Sequence, residues 1–151
     1  MYTEEDIIQN LSTDKISLLI RNKLIFCLDN DTNTSRQMTD FLIYLIQENE
    51  LMMREHLDLM REHDFYFIRT VEQIEYKTYL SKKIQEKVRE KLNILQLIKT
   101  DNKCMNKQTR YKVDISRITD YLNSYENQFR EREYRHQQIE EESKKKEIKR
   151  L

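Results

Sequence analysis

Apolar residues recur along this chain at helical spacing almost from its first residue. Thr3 followed by Glu4, Glu5 and Asp6 reads as a helix start, a hydroxyl able to cap free N–H groups and then acids at the positive end of the helix dipole. Ile7, Ile8, Leu11, Ile16, Leu19, Leu24 and Leu28 continue it and predict helix A over about 3–28. The second half, Ile16 to Leu28, is apolar nearly all round, interrupted by Arg21, Asn22 and Lys23, and so should be packed on more than one face. A polar run follows over 29–35, Asp29-Asn30-Asp31-Thr32-Asn33-Thr34-Ser35, whose side chains compete with the backbone for hydrogen bonds and predict a loop. Thr34 or Ser35 can cap the next helix.

That next helix, B, is predicted over about 36–99 and opens with Met38, Phe41, Leu42, Leu45 and Ile46 on one face. It holds a duplicated heptad, Met53-Arg54-Glu55-His56 and Met60-Arg61-Glu62-His63. Steps of four and three from Met60 to Leu95 find seven of eleven positions apolar, so the seam is leaky, broken at Asp64, Thr78, Ser81 and Gln85. A second register is cleaner. It runs through Ile94, Leu97, Asp101, Cys104, Gln108, Tyr111, Ile115, Ile118, Leu122, Tyr125 and Phe129, with nine of eleven apolar. The two registers differ by one residue, which predicts a kink or boundary at about 99–103 and helix C from about 103. After Phe129 the chain is charged or polar, and Glu140, Glu141 and Glu142 each stand four residues before a Lys, at 144, 145 and 146. Such pairs support a solvated helix by roughly 0.2–0.5 kcal/mol each.

The pattern therefore predicts an all-α fold. It is a long helical hairpin or coiled coil of three main helices, with residues 1–130 as one helical unit and 131–151 as a charged, solvated helical tail. The alternative is a compact four-helix bundle, broken near His63-Asp64. No breaker residue stands at 63 or 64, which favours the extended form.

Composition sharpens this picture. The 151 residues include no Gly, Pro, Ala or Trp, which removes the glycine loops that cradle phosphates or expose a nucleophile and the usual punctuation of β-rich folds. Twenty-seven bases balance 27 acids, so no net field draws the chain to nucleic acid or an anionic surface. The balance conceals an asymmetry: residues 1–75 hold 7 bases and 15 acids, net −8, and residues 76–151 hold 20 and 12, net +8. The halves should attract, within one chain or between chains.

Chemical candidates are sparse. Cys27 and Cys104 are far apart in sequence and form no zinc or redox motif. His56 and His63 would lie about 10 Å apart along one helix, too far to share an ion. The single Glu-x-x-His, Glu133 to His136, falls in the solvated tail. No catalytic residue, cofactor, metal or small-molecule substrate is expected, and the aromatic residues fit helix seams better than nucleic-acid stacking. The acidic N-terminus does not resemble a secretory signal, and no apolar run approaches a membrane span, so a cytoplasmic protein is expected, with cytoskeletal association one setting.

Function is then expected to lie in helix–helix contact with a protein partner or with itself. The candidate interface is Ile94, Leu97, Tyr111, Ile115, Ile118, Leu122, Tyr125 and Phe129, buried against a partner or against helix A. In composition the whole chain resembles the small coiled-coil subunits of ciliary, sperm-axonemal or centrosomal assemblies, which are also helical, charged and low in Gly and Pro. That resemblance implies a structural or scaffolding role. The alternatives are a compact helical adaptor for one partner and a young, weakly constrained helical protein, the last motivated by the missing Ala and imperfect heptads.

Overall fold

Short polar caps, more than long apolar seams, set the element boundaries in the computed structural model, which describes residues 1–12, 17–101 and 108–151. Thr3 caps α1 (Glu4–Leu11) as the sequence predicts, in a reciprocal capping box with Asp6. Ser17 caps α2 (Leu18–Leu28), so predicted helix A is two helices; Ile16 and the rest of 13–16 lie outside the described residues. The polar run is mostly helix: Asp31 accepts from the Thr34 amide and starts α3 (Thr32–Glu55), leaving Thr34 and Ser35 buried in its first turn.

Predicted helix B is overturned. Its span contains α3, α4 (Leu57–Glu62), β1 (Phe67–Arg69), α5 (Val71–Thr78), α6 (Lys82–Ile94) and β2 (Ile98–Asp101). The physical reason is visible at the interruptions of its seam. Asp64 and Phe65 both adopt left-handed backbone, with φ of 51° and 63°, and turn the chain from α4 into β1. Thr70 and Gln73 form a second capping box at the start of α5, Tyr79 ends that helix at φ 60°, and Ser81 caps α6. Gln96, at φ 61°, turns α6 into β2. In a chain without glycine, four of the described residues take up the conformation glycine usually supplies.

The cleaner register is overturned as a helical seam as well. Ile98–Asp101 pairs with β3 (Thr109–Val113), and β3 with β1, in an antiparallel sheet of order β1-β3-β2. Residues 102–107, with Cys104 and the predicted start of helix C at about 103, lie outside the described residues. Alternation within Thr109-Arg110-Tyr111-Lys112-Val113 places Thr109, Tyr111 and Val113 on one face, with Tyr111 directly opposite Phe67. The chain then forms α7 (Ile115–Ser124), capped by Asp114, and α8 (Glu126–Arg150).

Neither a long hairpin or coiled coil nor a four-helix bundle describes this arrangement. Among the described residues there are eight helices around one core, with a small three-stranded antiparallel sheet. At the centre lies α3, where every residue from Phe41 to Ile46 is buried, so the helix is covered on all sides. It packs against α1, α2, α4, α5, α6 and β3. Tyr111 is fully buried over it, its ring 5.9 Å from Phe41 and 6.4 Å from Phe67, with its hydroxyl accepting from Arg89 at 3.1 Å. The opposed charges of the two halves meet inside the chain, Lys91 with Asp29 at 3.2 Å and Lys112 with Asp64 at 3.5 Å.

Candidate functional site

The apolar helix without a polar face is α2, and the structure covers only one side of it. Ile20, Leu24, Cys27 and Leu28 are buried against α3 and the core. On the other side Leu18 and Leu19 are 68% and 62% exposed, and Asn22 and Phe26 are exposed beside them. An apolar helix surface of this kind is ordinarily covered in a folded protein.

Part of the cover comes from α8. Tyr121, Tyr125 and Phe129 form a ladder, with ring centroids 5.3 Å and 6.3 Å apart, that ends on Phe26 of α2 at 5.8 Å. The Tyr121 hydroxyl donates to the Cys27 carbonyl at 2.7 Å and fastens the same last turn of α2. Two cations bracket the rings: Lys23 Nζ lies 5.0 Å from the Phe129 centroid and donates to the Tyr2 hydroxyl at 2.8 Å, and the Arg132 guanidinium lies 4.9 Å from Phe26. Each aromatic pair adds about 0.5–1.5 kcal/mol beyond its burial. Beyond Phe129, however, every residue of α8 is exposed.

The two helices therefore leave an open groove of about 480 Å³. Leu19, Asn22, Lys23 and Phe26 line it from α2, and Phe129, Arg132, Glu133 and His136 from α8. Its floor is apolar. Its rim carries Lys23, Arg132 and His136 against a single acid, Glu133, and His136 Nε2 reaches Glu140 at 3.1 Å. Among the described residues no hydroxyl or thiol lines the groove. Cys27 lies on the inward side of α2 and is buried, which pushes its thiol up from 9.0 to about 12 and leaves it unreactive. Burial, followed by the hydrogen bond with Tyr125, also raises the Tyr121 phenol.

The eight candidate interface residues are not on one surface. Leu97, Tyr111, Ile118, Leu122 and Phe129 are buried in the chain's own core, and Ile115 and Tyr125 pack partly buried against it. Ile94 is separate, 71% exposed at the end of α6. Of the eight, Phe129 alone lines the groove. His56 and His63 end two different helices, α3 and α4, and Glu133 and His136 face the groove on α8. The sequence reading singled out the unbalanced apolar character of α2. It missed Asn22, Lys23, Phe26 and Arg132 as a set, because nothing in local sequence says that α8 returns beside α2.

No family model, curated protein or solved structure matches this chain.

Proposed function

We propose that the chain is a non-enzymatic protein-interaction module, a compact helical adaptor that receives one partner segment in the groove between α2 and α8. The observation that carries this reading is the uncovered outer face of α2 at Leu19 and Phe26, completed into a groove by Phe129 and Arg132. The scaffold expectation rests on a leaky seam and a cleaner one, and most of their apolar residues are used inside the core. The groove's chemistry supports a helical partner with an apolar stripe for Leu19, Phe26 and Phe129 and with acids for Lys23 and Arg132. Its length suits about two helical turns, since Phe129 to His136 spans about 10 Å at 1.5 Å per residue. Among the described residues no helix is long and apolar enough to cross a membrane.

Photo-crosslinking from a probe at position 19 or 136, in the protein's own cells, tests this reading. Position 76 on α5 serves as the control. Adducts to one partner, mapped by mass spectrometry to an acidic amphipathic helix, are expected from 19 and 136 and not from 76. Equal and diffuse labelling from all three sites would remove the groove as the docking site.

A further inference from the structure

Distal α8 carries a pattern separate from the groove. Starting at Tyr134, the positions Gln137, Glu141, Lys144, Ile148 and Leu151 follow at alternating steps of three and four, which aligns them as one stripe along the helix. All six are exposed, Tyr134 at 63% and Ile148 at 69%, and none lines the groove. A helix polar over most of its surface and unsupported by tertiary contact is marginal alone.

The stripe matches its own reverse. Laid antiparallel on a second copy about a centre between Glu142 and Ser143, Tyr134 comes level with Leu151, Gln137 with Ile148 and Glu141 with Lys144. Tyr134 and Leu151 thus meet at the ends, Ile148 lies over the stem of Gln137, and opposite charges meet in the middle. The sign of charge along the helix follows the same symmetry: residues 130–142 hold 3 bases and 5 acids, net −2, and residues 143–151 hold 5 bases and 1 acid, net +4. A parallel pair in register would instead set Glu141 on Glu141 and Lys144 on Lys144, which repel.

We propose that α8 pairs antiparallel with α8 of a second copy through Tyr134, Gln137, Glu141, Lys144, Ile148 and Leu151, forming a two-fold symmetric dimer. This contact is isologous, as two-fold interfaces are, because one patch serves both sides. Each body sits at the N-terminal end of its own α8, so the two bodies lie at opposite ends of the pair. The interface is small and charge-rich, so the dimer is weak and loosens as salt rises. This proposal does not depend on the groove reading.

Sedimentation equilibrium of the full chain tests it, with three charge variants beside the wild type. In the all-Lys variant Glu140, Glu141 and Glu142 become Lys; in the all-Glu variant Lys144, Lys145 and Lys146 become Glu; in the swapped variant both changes are made together. The wild type should rise with concentration toward twice the monomer mass. The all-Lys and all-Glu variants should each stay monomeric alone and dimerise when mixed. The swapped variant keeps opposite charges four residues apart along the helix and should self-associate like the wild type. A wild type that stays monomeric at every concentration overturns the proposal. So does dimerisation that persists in both single-sign variants, or a swapped variant that is helical by circular dichroism yet monomeric.

Discussion

Asn123 binds the backbone of Tyr2 with both ends of its amide. The Tyr2 N–H donates to Asn123 Oδ1 at 2.9 Å, and Asn123 Nδ2 donates to the Tyr2 carbonyl at 2.9 Å, across 121 positions of sequence. This pair fastens the segment before α1 to α7 and holds Tyr2 where its hydroxyl accepts from Lys23 at the groove. Replacing Asn123 with Ala removes both bonds and should cost about 1–2 kcal/mol, at about 1 kcal/mol net per bond. Urea denaturation measures the loss, and amide exchange should show α1 opening first.

Ile118 and Leu122 are fully buried. Ile118→Asp places a carboxylate without a partner in the core and should cost about 4 kcal/mol or more, enough to unfold a marginal domain. Near-UV circular dichroism and proteolysis report this directly. Loss of partner binding from a chain that stayed folded would contradict the placement of α7.

Phe129 anchors α8, being 6% exposed and in ring contact with Phe26 and Tyr125. Phe129→Ala should destabilise the chain by about 3 kcal/mol through lost burial and a cavity. It should also free α8 from α2. Helical signal from α8 should fall and Leu19 should become more accessible, as read by amide exchange and by a probe at position 19.

Two positions invite stabilisation. Tyr79 and Gln96 hold left-handed backbone on the surface, Tyr79 at 92% exposure. Left-handed conformation costs a residue with Cβ about 1–2 kcal/mol, and glycine returns part of that gain through its freer unfolded chain. Tyr79→Gly and Gln96→Gly should each raise stability by about 0.5–1 kcal/mol in chemical denaturation. No gain at either site would mean that the side chain contributes more than the turn geometry suggests.

Burial raises the Cys27 thiol from 9.0 to about 12. It also raises the Tyr44 phenol from 10.0 to about 12, with the nearby Glu48 charge adding to the effect. Both groups are neutral below their unfolded values, where their contribution to stability is fully present. As pH rises above about 9 the unfolded chain ionises first, so stability falls progressively toward pH 12. Urea midpoints across that range should decline, and in Cys27→Ala the decline should begin about one pH unit later, where the Tyr44 phenol starts to ionise in the unfolded chain.

Much of the secondary structure was legible, because caps and periodicity are local. Thr3 as a cap, the polar break after Leu28, the apolar face of α3 from Met38 to Ile46 and the charged helix beyond Phe129 all follow from side chains a few residues apart. The sequence also carried the missed breaks. Thr70-Val71-Glu72-Gln73 is a capping box, and Asp64, Thr78 and Ser81, read as flaws in a seam, stand beside turns. Without Gly or Pro the turns looked absent, and a heptad count absorbed residues that end helices.

What the sequence by itself determined is a mainly helical chain with a charged helical end and an apolar α2 that needs company on both sides. Tertiary structure alone decided that Tyr111 would sit in a strand between Phe41 and Phe67, that α3 would be wrapped on every face, and that α8 would return beside α2 to make a groove. These outcomes depend on contacts between residues tens of positions apart. A period of three and four records only which residues share a face, and leaves open which other face will cover it.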